Sequence, residues 1–239
     1  MNPNDFSEYL ESIERAKKNE RIFKLNQAAY SAAVAHDRLS VKRYIEQGAT
    51  LHLLDGDEVH PYNDDNNGLL HVAVMSNNVE LVKYLLSLNI KIDMRNRKLQ
   101  TPFHRAVYNG QLEIMEILLS GGADIEAKED DEDTGLCWSA YMGQFEALKF
   151  LVERGAKTDI INKNNYTPLH WVCYEGHTEI IRYLVEHGAD TQSINNVGDT
   201  PLTAAIGNGH TKAALYLIEI EKQKAIAEAL KSSYSRSSS

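Results

Sequence analysis

The stretch HPYNDDNNG, residues 60–68, places His60 among acids, where an imidazole could act as a general base. Three further histidines, His71, His104 and His170, fall on one 33-residue register and raise the possibility of a metal ladder. Cys137 and Cys173 are the only thiols, too few for a disulfide framework and without metal-ligand spacing. Whether any of these groups does chemistry depends on the elements that carry them.

Those elements repeat. The segments TPFHRAVYNGQLEIMEILLSGGAD from Thr101, TGLCWSAYMGQFEALKFLVERGAK from Thr134, TPLHWVCYEGHTEIIRYLVEHGAD from Thr167 and TPLTAAIGNGHTKAALYLIEIEKQ from Thr200 start 33 residues apart. A fifth, GLLHVAVMSNNVELVKYLLSLNIK, starts 33 residues earlier at Gly68, and a degenerate sixth starts at Gln27. Each copy reads as two short helices. Thr167 can N-cap the first, Pro168 suits its first turn, and Gly176 ends it. Ile180, Ile181, Leu184 and Val185 then form a helical-period apolar stripe that stops at Gly188. One pair cannot cover its own apolar face, so the copies must stack.

The period and the Thr167, Pro168, Leu169, His170 motif resemble the ankyrin-repeat family over most of the chain. The resemblance implies an all-α solenoid of about six repeats, starting near 27, 68, 101, 134, 167 and 200. Residues 1–26 read as an N-terminal capping helix with Phe6, Tyr9, Leu10 and Ile13 on one face. The interval from Gly48 to Gly68 exceeds the later Gly-to-Thr intervals by eight residues, which places an insertion in the first finger, 52–67. At the other end the last helix is expected to run from about Thr211 to Leu230, and the Ser-rich residues 231–239 to be a disordered tail.

The HPYNDDNNG stretch, inside that first finger, also resembles the signature of the Fic family of AMP-transferases. That resemblance implies a catalytic His60 beside a phosphate-cradling glycine turn. Asp65 and Asn67 stand where the signature has glycines, however, and Gly68 where it has arginine. The Fic motif joins two long helices of a catalytic domain, for which the repeats leave no room. A polar loop and no enzyme are therefore expected. In ankyrin repeats the motif histidine is a structural hydrogen-bonding group, so His71, His104 and His170 are read that way, and Cys137 takes the same position in its copy. Cys137 and Cys173 are read as buried, inert thiols. Neither a cofactor nor a bound metal is expected. Asparaginyl hydroxylation, which the family resemblance would suggest, finds His52, Asp93, Glu126, Asp159 and Gln192 at its usual Asn position.

A different pattern is left. In ankyrin repeats the position seven after the motif Thr faces the concave surface. Here it reads Met75, Tyr108, Tyr141, Tyr174 and Gly207. Three residues earlier, on the same helical face, lie Arg105, Trp138 and Trp171, and beside the tyrosines are Met142 and Glu175. Tyr, Trp and Arg most often anchor interfaces. The finger DIEAKEDDED, residues 124–133, adds seven acids and one lysine, with Asp130, Asp131 and Asp133 at its tip.

The formal charge of -9 disfavours nucleic acid and favours a basic partner. The start of the chain has no basic n-region or apolar h-region and no segment has the length of a membrane span, so a monomeric cytoplasmic protein is expected, with a nuclear location also open. The reading is a non-enzymatic module or scaffold for protein–protein interaction that binds a partner, in one version a basic segment, on its concave face. The runner-up is an effector that an intracellular bacterium delivers to bind host proteins. A narrower variant is a methyl-lysine reader built from Trp138, Tyr141, Trp171 and Tyr174 with Glu175.

Overall fold

The computed structural model describes residues 3–49 and 67–237. Among these residues there are twelve α-helices and no strand. His60 and the expected first-finger insertion, 52–67, lie outside them except for Asn67.

The helices come in pairs on the 33-residue register: α3 (Leu69–Met75) with α4 (Val79–Ser87), α5 (Pro102–Tyr108) with α6 (Leu112–Ser120), α7 (Gly135–Tyr141) with α8 (Phe145–Glu153), α9 (Pro168–Glu175) with α10 (Thr178–Glu186), and α11 (Pro201–Gly207) with α12 (Thr211–Ser237). Helices of seven to nine residues are too short to hold on propensity alone. Their stability comes from burial. In α8 and α10, Leu148, Leu151, Ile181 and Leu184 are fully buried at helical spacing, each contributing roughly 1.5–3 kcal/mol. Local rules set the ends. The Thr167 side chain accepts from the His170 N–H at the start of α9, and Gly176 closes it in the left-handed region at φ 79°.

Two elements run further than the sequence reading placed them. Helix α1 (Pro3–Val34) is continuous across the boundary set at residue 26, so the capping segment and the first helix of the first repeat are one element, followed by α2 (Arg38–Glu46). No glycine or proline interrupts it after its first residue. Ile13 is half-buried, while the side chains of Phe6, Tyr9 and Leu10 lie outside the described residues. Helix α12 likewise passes Leu230 and continues to Ser237, into the segment assigned to a disordered tail, again without a helix breaker. No helix among the described residues is long and apolar enough to cross a membrane.

The chain divides into two compact units, one of Met1–Ala106 with Glu113–Ala123, the other of Val107–Leu112 with Asp124–Ser239. In the first, α1 packs on α2 and α3, and α3 on α4. In the second, α9 lies between α7 and α11, while α10 packs on α8, α9 and α12.

Candidate functional site

The site is built in the second unit, from the finger ahead of α7 upward. Within that finger the Glu129 side chain accepts the backbone N–H groups of Asp131 (2.8 Å) and Asp133 (3.2 Å), closing a tight turn. In the next finger Asn162 does the same for Asn164 (2.9 Å) and Tyr166 (3.0 Å). The amide left over on Asn162 reaches back and donates to both carboxylate oxygens of Asp133, at 3.1 and 3.2 Å. Trp171, on α9, donates its indole N–H to Asp133 Oδ1 at 3.2 Å. Asp133 thus accepts from two residues of the following repeat. Burial is the main reason its carboxyl stands above the usual range, and the hydrogen bonds from Asn162 and Trp171 oppose the shift.

Trp171 is in turn held by rings. Tyr166 stacks on it at 4.7 Å between centroids, Tyr141 meets it edge-on at 5.3 Å, and Tyr174 edge-on at 6.4 Å. One repeat earlier Tyr108 meets Trp138 edge-on at 5.5 Å. Such pairs are worth about 0.5–1.5 kcal/mol beyond their buried area. The tyrosine of one repeat therefore supports the tryptophan of the next. Their backbones are fixed as well: the carbonyls of Tyr108, Tyr141 and Tyr174 accept from Gln144 (2.6 Å), His177 (3.4 Å) and His210 (2.8 Å). These side chains cross Gly143 and Gly176 so closely that a Cβ at either glycine would collide with the imidazole. The three tyrosines still remain 40–43% exposed.

Between Trp138 and Tyr141 of α7 and Trp171 of α9 is a recess of about 150 Å³, lined also by Asp133 and Cys137. At this motif position His71, His104 and His170 carry a larger imidazole, where Cys137 lines the recess. His170 fills its site, taking the Thr167 N–H on Nδ1 and meeting the Asp199 carbonyl through Nε2 at 3.0 Å. In the first unit His71 does likewise with Gly68 and Gln100, and burial lowers its pKa to about 4. Both rings are committed to backbone at both nitrogens, so they are structural and neutral. Cys137 instead receives the Thr134 hydroxyl at 3.6 Å, and burial pushes its thiol up to about 12. Cys173 is buried and raised for the same reason.

The 33-residue register continues through the fingers as well as the helices, and a family model described as ankyrin repeats, in three copies, matches residues 27–129 and 136–227. The chain belongs to the ankyrin-repeat family. No curated relative matches it. Ankyrin repeats are generally protein–protein interaction modules, which makes the exposed rings rather than the histidines the surface of interest.

Of the residues singled out in this ankyrin chain, Tyr108, Trp138, Tyr141, Trp171, Tyr174 and Asp133 form one connected set. Met142 caps α7 and is exposed. Glu175 ends α9 half-buried, and the carboxylate that lines the recess is that of Asp133. Met75 and Arg105 belong to the first unit, where the Arg105 charge disfavours protonation of His71. Asp131 forms an ion pair with Lys163, and Asp130 is exposed beside Glu129. Burial first, then the hydrogen bond with Asp130, raises the Glu129 carboxyl to about 7. Glu129, Asp130 and Asp131 are the only close group of three metal-capable side chains among the described residues. Their contacts are internal to the turn or to Lys163. Sequence reasoning missed Tyr166 and Asn162. Their signal was their position, 33 residues after Asp133 and Glu129.

Proposed function

We propose that this ankyrin chain binds a basic segment of a partner protein along the ring row Tyr108, Trp138, Tyr141, Trp171 and Tyr174. The observation that carries the reading is the combination, in one row, of half-exposed phenols with backbones already fixed by Gln144, His177 and His210. A rigid aromatic contact loses little conformational entropy on binding, so more of its contact area counts toward affinity. The acidic finger beside it supplies the sign of the partner: Asp130 and Glu132 are exposed, and the chain carries -9 overall.

The test compares wild type with Tyr108→Ala/Tyr141→Ala/Tyr174→Ala in affinity capture with mass spectrometry, at low and high salt, after circular dichroism confirms that both are folded. The expected result is a set of proteins with basic segments, weakened by salt and lost from the triple variant. Each interface tyrosine that acts as an anchor is worth about 2 kcal/mol or more, roughly thirtyfold in affinity. Retention of the same set by both proteins would remove the row as the interface.

A further inference from the structure

We propose that the recess between α7 and α9 is a seat for one alkylammonium group, the head of a lysine-type side chain on the partner, and that it discriminates against guanidinium. The inference rests on the binding row just described and deepens it to a single side chain. Three aromatic rings, Trp138, Tyr141 and Trp171, line the space, and the Asp133 carboxylate joins them. Aromatic faces attract a cation through their quadrupole, the more so when it is partly desolvated. A volume of about 150 Å³ suits one ammonium head with its substituents rather than a whole ligand.

The partners of Asp133 decide which cation. A carboxylate offers about four acceptor sites. Trp171 Nε1 takes one on Oδ1, and the Asn162 amide spans both oxygens, so Oδ1 is filled and only Oδ2 keeps a free site. A guanidinium binds a carboxylate best through two parallel N–H groups, and the second would find no free oxygen site here. An ammonium needs a single N–H to Asp133 and can turn its remaining surface to the rings. Both residues that already donate to Asp133, Asn162 and Trp171, are neutral, so an incoming positive charge meets an uncompensated carboxylate. Each N–H replaced by methyl also removes a donor that the ring faces cannot satisfy. Unmodified and methylated lysine share this chemistry, and affinity is expected to rise from the first to the dimethylated form.

The readout is built in, because Trp138 and Trp171 are the chain's two tryptophans and both line the recess. Tryptophan emission of the full chain is titrated with N-acetyl-lysine methylamide, its dimethyl form, the matching arginine compound and a neutral tert-butyl isostere. The expected result is a saturable change with the lysine compounds at millimolar concentrations, about fivefold or more weaker binding of the arginine compound, and none of the neutral isostere. Asp133→Asn, which keeps an acceptor for Trp171, and Tyr141→Ala, at an exposed helix end, should each weaken the lysine compounds about tenfold. Dimethyl above unmodified identifies modified lysine as the source, and the reverse order identifies unmodified lysine. Equal binding of the neutral isostere or of arginine, or no saturable change with either lysine compound, overturns the seat. If the titration fails while the triple tyrosine variant still loses its partners, the seat falls and the binding row stands. If the seat binds and capture is unchanged, the row falls instead.

Discussion

The finger around Glu129 and the finger around Asn162 share one hydrogen-bond plan and differ in chemistry. In both, a side-chain oxygen accepts from the residues two and four positions on, and the backbone closes from residue 129 to 133 and from 162 to 166 at 3.1 Å. In both, the fourth residue on meets a ring of α9: Asp133 takes the indole N–H of Trp171, and Tyr166 stacks on its face. The Asn162 finger closes with neutral groups. The Glu129 finger closes the same turn with a carboxyl and ends on a second one. A repeat can therefore keep its backbone plan while changing its charge, and the position where charge enters is the one that adjoins the recess.

Removing the residue that joins the two fingers should have the largest effect. Trp171→Ala deletes one stacked and two edge-on ring contacts and leaves Asp133 without the indole donor. A loss of about 3 kcal/mol in unfolding free energy is expected from urea titration. Trp138 makes one ring contact, and its buried indole N–H has no hydrogen-bond partner among the described residues. Trp138→Ala should therefore cost about half as much. Equal losses would show that the clasp between the fingers contributes nothing beyond ring burial.

The next effect depends on pH. The Glu129 carboxyl titrates near 7 in the folded chain against about 4.5 when free, so the folded state holds its proton over a range where the unfolded state has released it. Stability then falls as pH rises from about 4.5 to about 7 and is level above, the reverse of the usual paired carboxylate. Asp133, raised in the same direction, adds to the decline from lower pH. Glu129→Gln keeps an oxygen for the two turn N–H groups and supplies a donor toward Asp130. It should remove most of the slope and stabilise the chain at pH 8 by on the order of 2 kcal/mol, with little change at pH 4. A parallel pH profile in the two proteins would show that the turn tolerates the charge without cost.

The sequence made the helices legible because their signals are local and repeated: a capping Thr, a proline in the first turn, a stripe of Ile and Leu, a closing glycine. It also placed the tyrosines at their exposed register. The contacts that join them to the tryptophans were hidden, because Tyr141 and Trp171 are thirty residues apart and meet only when α9 packs on α7. The pairing inferred within one helix, Trp138 with Tyr141, is joined in space by one between repeats. Asp133 was one of seven acids in a ten-residue finger. Only the Asn162 amide and the Trp171 indole, both from the next repeat, distinguish it from Asp130 and Asp131. The length of α1 and α12 was misjudged for the opposite reason: the repeat register marked a boundary and composition a tail, yet neither segment contains a residue that would stop a helix.

The smallest effect sharpens the same comparison through the backbone. The third residue after Glu129 and after Asn162 is left-handed in each finger, at φ 62° for Glu132 and 57° for Asn165, and the later finger places Gly198 there at φ 90°. A side chain with a Cβ pays roughly 1–2 kcal/mol in that region, and asparagine less, because its short amide bonds locally. Glu132 pairs with Lys128 at 3.1 Å, but both are exposed and such a pair contributes only a few tenths of a kcal/mol. Glu132→Gly should therefore stabilise the chain by about 1 kcal/mol after that loss, and Asn165→Gly by only a few tenths, in paired thermal melts. Equal gains would mean that the two turns carry the same strain. The Glu129 finger would then differ from its neighbour in charge alone, with its backbone contributing nothing to the contrast.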